Sequence, residues 1–141
     1  MLNKFIAMKF NLQTKGHYDF IDITMKVEQA VSESNIKNGI VVVFASGSTA
    51  AITTMEYEEG VMEDLKNVFE KLAPEDADYK HHLKWGDKNG AAHIKAALVG
   101  PDLTIPIENG KLQLGTWQQI ILIDFDEKPR NREIIVKLLK C

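Results

Sequence analysis

The chain has 141 residues, of which 45% are hydrophobic and 26% charged, a balance typical of a globular domain that buries a core without disulfides. Its formal net charge of -3 and its scattered lysines exclude the basic surface of a nucleic-acid-binding protein. The only cysteine, Cys141, is the last residue, and no apolar run approaches the roughly 20 residues that cross a bilayer. We therefore predict one cytoplasmic domain over residues 1–141, with no nucleic-acid or membrane partner.

The first third of the chain predicts a strand, a linker and a helix. Residues 6–13 alternate apolar and polar side chains, which is typical of a half-buried strand. Residues 17–23 are interpreted as a linker. A helix follows with Thr24 as its expected N-cap, and Asn38-Gly39 is expected to close this unit.

The middle third predicts two strands, a second helix and a loop. Residues 40–45 are rich in β-branched side chains without alternation, which indicates a strand buried on both faces. Residues 50–55 predict a further strand, and residues 58–72 have apolar side chains at helical spacing. We interpret residues 74–90 as a loop and residues 91–98 as a short helix that turns into a strand.

The last third predicts strands joined by short turns. Residues 103–114 predict a hairpin around Asn109-Gly110, a pair that suits a turn with positive φ. Residues 118–125 and 133–139 predict two closing strands. Because such short turns connect antiparallel neighbours, we predict an α+β fold, an antiparallel β-sandwich with two helices packed against it.

Three of the four histidines lie in one polar segment. His81, His82 and His93 surround Asp87 and Asn89. Imidazoles near a carboxylate and a carboxamide are typical of a metal site, an anion site or an acid-base site. Adjacent side chains in an extended segment face opposite ways, so only one histidine of the pair is expected in a site. The alternative is surface histidines with one buried member, and the spacing matches no zinc motif.

Three other polar positions are candidates for function. Glu56 follows an apolar strand, where it could act as a base or metal ligand, or be a solvated carboxylate. The turn 46–49 offers hydroxyl and backbone N–H groups for a phosphate oxygen, or it is a simple glycine bulge. Arg130 and Arg132 suit a phosphate or carboxylate ligand, or a salt bridge to Asp124 or Asp126.

Several longer motifs are spread over most of the chain. They are Asp78-Tyr79-Lys80-His81-His82, Asn89-Gly90-Ala91-Ala92-His93, Ile105-Pro106-Ile107, Asn109-Gly110-Lys111-Leu112, Leu114-Gly115-Thr116-Trp117-Gln118 and Pro129-Arg130-Asn131-Arg132. On these motifs, and on the position of Glu56, the sequence resembles the YjbQ family, small proteins described as secondary thiamine-phosphate synthases. The resemblance departs at Gly47, where the family usually has histidine.

The resemblance implies a jelly-roll-like sandwich that assembles as a homotrimer with clefts between subunits. It also implies a weak thiamine-phosphate synthase activity, which joins a pyrimidine methyl diphosphate to a thiazole ethyl phosphate and releases pyrophosphate. Mg²⁺ or Zn²⁺ is a possible cofactor, and a small phosphorylated molecule is the expected ligand. The expected roles are metal binding or proton transfer for one set and anion binding for another. The first set is His82, His93 and Glu56, with His82 and His93 as the metal ligands; the second is Ser48, Thr49, Asn89 and Arg130.

Two other functions stay open. One is a metal-dependent hydrolase that uses the same cluster, and the other is a non-enzymatic trimeric protein that binds a small anion. The loss of the family's histidine at Gly47 favours the binding protein slightly. The transferase and the hydrolase both expect a pocket that holds His82, His93 and Glu56.

Overall fold

A computed structural model describes residues 5–141, and the predicted domain also includes residues 1–4, which lie outside the described residues. The described part has an α+β fold of antiparallel strands and four helices. Its strands are β1 (Phe5–Gln13), β2 (Asp19–Asp22), β3 (Gly39–Ala45), β4 (Ala50–Met55), β5 (Asp102–Glu108), β6 (Lys111–Leu112), β7 (Gln119–Asp124) and β8 (Asn131–Lys140). Its helices are α1 (Thr24–Ser34), α2 (Glu59–Leu72), α3 (Lys80–Trp85) and α4 (Gly90–Val99).

The strands form two sheets, in which every pair is antiparallel. One sheet has the order β1-β8-β3-β5-β6 and the other has the order β2-β7-β4. The hairpin between β5 and β6 is confirmed: Asn109 and Gly110 have φ of 53° and 77°. Both central turn residues therefore adopt the positive φ that the Asn-Gly pair favours.

Two hydrophobic cores lie on opposite faces of the three-stranded sheet. The first core contains alternate residues of both sheets and the apolar side of α1, including Val41, Leu122 and Val136. The second contains Phe69 of α2 and Ala92 of α4 against the other face of β4 and β7. Since both faces of β7 are covered, its residues from Ile120 to Asp124 are all buried.

The helices differ from the sequence prediction in number and in detail. Four helices are present where two were predicted: α3 lies in the segment 74–90 interpreted as a loop, and α4 is helical throughout, without turning into a strand. The helix predicted over 58–72 is confirmed as α2, and Glu58 caps it by accepting hydrogen bonds from Gly60 and Val61. Helix α1 ends at Ser34, before Asn38-Gly39, because Asn35 adopts a left-handed conformation.

Three further predictions were wrong for local reasons. Residues 19–22 form β2, since their backbone pairs with β7, although they were interpreted as part of a linker. Thr24 is not the N-cap of α1, because its backbone N–H donates to the Asp22 carboxylate 2.9 Å away and Ile23 holds the cap position. Strand β3 is buried on one face only, with Val42 half-buried and Phe44 exposed.

Among residues 5–141, no helix is both long and apolar enough to span a membrane.

Candidate functional site

A buried network of charged and hydroxyl groups joins the ends of β1, β7 and β8. The guanidinium of Arg132 holds both carboxylate oxygens of Asp124, with Nε–Oδ2 and Nη2–Oδ1 distances of 2.7 and 2.9 Å. Thr14 donates to Asp124 Oδ2 over 2.5 Å, and Thr49 donates to Asp126 Oδ2 over 2.7 Å. Charged pairs with this bidentate geometry are strong and specific. The network therefore fixes the loop of residues 46–49, which leads into β4.

The other charges of the network are arranged around Asp126. Arg130 Nε lies 3.1 Å from Asp126 Oδ2, and its side chain is 44% exposed. Burial alone would raise the pKa of Asp126, but hydrogen bonds from Thr49 and Arg130 outweigh it and hold that pKa below its usual range. Asp126 is therefore ionised at neutral pH, and both arginines have carboxylate partners. The predicted salt bridges to Asp124 and Asp126 are confirmed, although only Arg130 remains at the surface.

A second cluster contains two of the histidines. The rings of His81 and His93 lie 4.5 Å apart between centroids, and His81 Nε2 is 3.3 Å from Asp87 Oδ1 without the alignment of a hydrogen bond. Helix α3 carries His81 and helix α4 carries His93, so the contact depends on how these two helices pack. The carboxylate of Asp87, the ring of His81 and the ring of His93 therefore lie next to one another in that order.

The structure separates the histidine pair that sequence alone could not resolve. His81 is the ring that contacts His93. The ring of His82 packs edge-on against Tyr79, and its Nε2 accepts a hydrogen bond from the backbone N–H of Gly90 over 3.1 Å. His82 therefore connects α3 to the first residue of α4, which is a structural role.

The remaining predicted residues fall in different places. Ser48 lines the same hollow as His93, and Thr49 belongs to the buried network just described. Asn89 immediately precedes α4 and is 93% buried, since only 7% of it is exposed. Glu56 is exposed beyond the far end of β4, roughly 20 Å from Thr49 at about 3.3 Å per strand residue. Glu56 is therefore not brought to the histidines within this chain.

Three buried polar atoms in this region lack hydrogen-bond partners among residues 5–141. They are His81 Nε2, Asp87 Oδ1 and Asn89 Oδ1. Buried polar atoms are nearly always paired, and two of these three, His81 Nε2 and Asp87 Oδ1, lie 3.3 Å from each other. A separate hollow of about 340 Å³, which none of these three residues lines, lies between His93 and the loop of Gly47 and Ser48. That volume is in the range of small-molecule sites.

The environment of His93 favours its neutral form. Burial lowers the pKa of His93 below its usual value of 6.5, the neighbouring His81 lowers it further, and Asp126 and Asp87 oppose both effects. A neutral imidazole at pH 7 has a free lone pair on one nitrogen, so His93 is able to accept a proton.

We expect an NMR titration of the four histidines to place the pKa of His93 below 6.5. In the His81→Ala variant, the pKa of His93 is expected to rise, because a repelling neighbour is removed. In the Asp87→Asn variant it is expected to fall, because a favourable negative charge is lost. Shifts of the same sign in both variants would contradict this account of the cluster.

A metal centre is a poor fit to these residues. Protein metal sites use three or more ligand side chains held close together. Across the part of the chain that the structure describes, no three His, Cys, Asp or Glu side chains have that arrangement. Of the two expected metal ligands, His82 already uses Nε2 to accept from Gly90.

Two site residues were missed by sequence reasoning. Arg130 and Arg132 were both phosphate-binding candidates, because alternation along the chain would place their guanidinium groups on one face. Of the two, Arg130 was chosen. The side chain of Arg132 is in fact only 7% exposed, whereas Arg130 is 44% exposed. His81 was passed over for His82. A helical period over residues 79–85 would have indicated that His81 and His82 point about 100° apart.

The fold is that of a small antiparallel α+β protein, with a ligand-sized hollow lined by His93, Ser48 and small apolar residues at one end of its three-stranded sheet. The family model described as UPF0047 protein YjbQ-like matches residues 8–141, and the chain belongs to that family. A UPF0047 protein of Archaeoglobus fulgidus is 42% identical over 94% of this chain and 100% of its own length. The UPF0047 protein YugU of Bacillus subtilis is 33% identical over 91% of this chain and 95% of its own length.

Solved structures agree with the family assignment. A YbjQ-like protein of unknown function from Sulfolobus solfataricus superimposes with a TM-score of 0.93 at 37% identity, covering 99% of each chain. A YjbQ/UPF0047 protein from Clostridium acetobutylicum superimposes with a TM-score of 0.85 at 42% identity, covering 93% of this chain and 98% of its own. These relatives fix the fold and the family.

Proposed function

We propose that this chain binds a small phosphorylated molecule in the hollow beside His93 and donates a hydrogen bond to it from the ring of His93. The observation that carries the proposal is the hollow of about 340 Å³ that His93 lines together with Gly47 and Ser48. The ring of His81 contacts that of His93, and both histidines line a neighbouring hollow, which supports His81 as the residue that positions His93. The lowered pKa of His93 supports a neutral imidazole at pH 7, which keeps one ring N–H to donate.

The reaction proposed for this site is thiamine phosphate formation, as the family resemblance implies. The thiazole nitrogen attacks the methylene carbon of the pyrimidine methyl diphosphate, the carbon–oxygen bond breaks, and pyrophosphate leaves with that bonding pair. Donors that hold the departing diphosphate lower the barrier, because negative charge grows on it. The ring N–H of a neutral His93 is such a donor, and the substitution itself releases no proton. A divalent ion accompanying the diphosphate remains a prediction.

A second candidate function is a non-enzymatic protein that binds a small anion. Two observations favour it: Gly47 stands where the family usually has histidine, and Glu56 is exposed roughly 20 Å along β4 from the 47–49 loop. Both changes remove groups that the resemblance expects in a catalytic set. The metal-dependent hydrolase has less support, since no three-ligand group lies among residues 5–141.

The proposal extends to the assembly. We propose that the two sheets form a jelly-roll-like sandwich and that the chain assembles as a cytoplasmic homotrimer, as the resemblance implies. The shared core of both sheets supports the sandwich. Large apolar side chains exposed on this chain, Leu83 at 89%, Trp117 at 71% and Trp85 at 65%, support contacts with further copies.

The deciding experiment measures thiamine phosphate and pyrophosphate formation from the two precursors with Mg²⁺. His93→Ala is expected to lower kcat by about 10²–10³-fold, the usual effect of removing one hydrogen-bond donor to the developing charge. His81→Ala is expected to lower kcat more than His82→Gln, since His81 is the ring beside His93. The control is His17→Asn, at a surface histidine with φ of 49°, a conformation that asparagine tolerates.

Two outcomes would count against the reaction. Turnover that survives in both the His81 and the His93 variants would place the chemistry elsewhere. A wild-type chain without turnover that still binds pyrophosphate saturably would favour the binding protein.

A further inference from the structure

The loop between β3 and β4 presents consecutive backbone N–H groups that have no acceptor. Ser46 N–H donates to the Glu133 carbonyl over 3.1 Å, but the N–H groups of residues 47–49 donate to no atom of the described chain. Gly47 has φ of +130° and, like Ser48, is exposed. Because Gly47 and Ser48 are exposed, their N–H groups are open to a ligand or to water, and successive donors in a tight loop can form a concave seat for an anion.

A guanidinium nitrogen lies directly under this loop. Arg132 uses Nε and Nη2 for Asp124 and Thr49, while Nη1 makes no hydrogen bond within residues 5–141. A Cβ atom built on Gly47 would lie 2.9 Å from that Nη1. The absence of a side chain at Gly47 therefore leaves the two Nη1 donors uncovered on the Gly47 side. Because Asp124 already orients the guanidinium, these donors are held in place before any ligand arrives.

We propose that residues 47–49 and Arg132 Nη1 form the seat of a phosphoryl group, and that Gly47 determines which ligands are accepted. The inference rests on the proposed function and deepens it by naming the ligand class, small molecules that end in a phosphate or diphosphate. The hollow lies between the loop residues Gly47 and Ser48 on one side and His93 on the other, and Arg132 Nη1 lies beneath the loop at Gly47. A tetrahedral phosphoryl group offers oxygens to both sides at once, whereas a planar carboxylate offers only two oxygens in one plane.

The test measures binding of inorganic pyrophosphate by calorimetry to the wild-type chain and to two glycine variants. Gly47→Ala places a Cβ against Arg132 Nη1. Gly100→Ala is the matched control, because Gly100 also has a positive φ, of +99°, but its Cβ would meet nothing within 4 Å. Both variants strain the backbone, so thermal unfolding of each shows the common cost. Pyrophosphate binding is expected to weaken at least tenfold in Gly47→Ala and less than twofold in Gly100→Ala.

A second measurement reads the guanidinium directly. The chain has only two arginines, Arg130 and Arg132, so its arginine Nε–H NMR spectrum contains two signals. The signal that remains in Arg130→Lys belongs to Arg132. Pyrophosphate is expected to shift the Arg132 signal, and Gly47→Ala is expected to suppress that shift.

Different outcomes separate this inference from the proposed reaction. The seat is rejected if the wild-type chain does not bind millimolar pyrophosphate, if Gly47→Ala binds it normally, or if the Arg132 signal stays unmoved at saturation. Histidine-dependent turnover together with any of these results keeps the reaction and removes the seat. Gly47-dependent pyrophosphate binding without turnover keeps the seat and removes the reaction.

Discussion

Asp124→Asn is expected to lower the free energy of unfolding by about 3–5 kcal/mol, the usual cost of breaking a buried ion pair from one side. Asp124 is fully buried, and the side chain of Arg132, which it holds bidentately, is only 7% exposed. Asparagine keeps the shape of the side chain but removes its charge, so the guanidinium stays buried with weaker compensation. Urea unfolding followed by circular dichroism measures the change.

A surface ion pair on the same strand is the control for this prediction. Glu133 lies next to Arg132 in the sequence, and its carboxylate is 3.7 Å from Lys9 Nζ with both side chains largely solvated. Glu133→Gln is expected to change the free energy of unfolding by less than about 1 kcal/mol. If Asp124→Asn costs no more than Glu133→Gln, the network does not stabilise the fold in the way described. It would then also be a weak anchor for the 47–49 loop.

The strands could be predicted from sequence because their signals are local. Residues 6–13 alternate in polarity and form β1, and the Asn109-Gly110 pair forms the predicted turn. Strand β2 has four residues, and its pairing with β7 is separated by about a hundred positions, so no local pattern reveals it. Helix α3 is one and a half turns long with no buried residue, so it has no apolar face to detect.

The candidate site was predicted only where its sequence signals are local. His93, Ser48 and Asn89 were chosen because polar groups between apolar segments stand out in a sequence, and the structure places His93 and Ser48 on one hollow. The choice between His81 and His82 depends on the packing of α3 against α4, and the choice between Arg130 and Arg132 depends on the burial of Asp124. These are tertiary facts, which one-dimensional spacing does not contain. In the sequence, Gly47 was noted only as a departure from the family. The structure adds that a side chain at this position would lie against Arg132 Nη1.

The position of His93 depends on a second buried charge, two residues further along α4. Lys95 is 99% buried, its Nζ lies 2.7 Å from Glu70 Oε1 of α2, and it sits 4.3 Å from the centre of the Tyr18 ring. Tyr18 donates a short hydrogen bond to the same carboxylate. Burial raises the pKa of Tyr18, and its hydrogen bond to Glu70 raises it further, so the phenol keeps its proton. The carboxylate of Glu70 in α2 therefore binds both Lys95 of α4 and Tyr18, which lies just before β2.

Glu70→Leu is expected to lower the free energy of unfolding by about 3 kcal/mol, because it leaves the Lys95 ammonium buried without a partner. The estimate stays at the low end of the range for buried pairs, since Glu70 itself is 37% exposed and water screens it. Glu63→Leu is the matched control, the same substitution at an exposed position of α2. That variant is expected to stay within about 0.5 kcal/mol of the wild-type chain.

The double variant Glu70→Leu with Lys95→Met separates lost pairing from lost packing. Replacing both charges with apolar side chains of similar size is often neutral, so the double variant is expected to regain most of the stability lost in Glu70→Leu. A double variant as unstable as the sum of the single ones would instead mean that Glu70 and Lys95 act independently. In the double variant an apolar contact replaces the ion pair, so α4 keeps its position. The pKa of His93 is therefore expected to return toward its wild-type value. Stability and the His93 titration would then change together, because both depend on how firmly α2 holds α4.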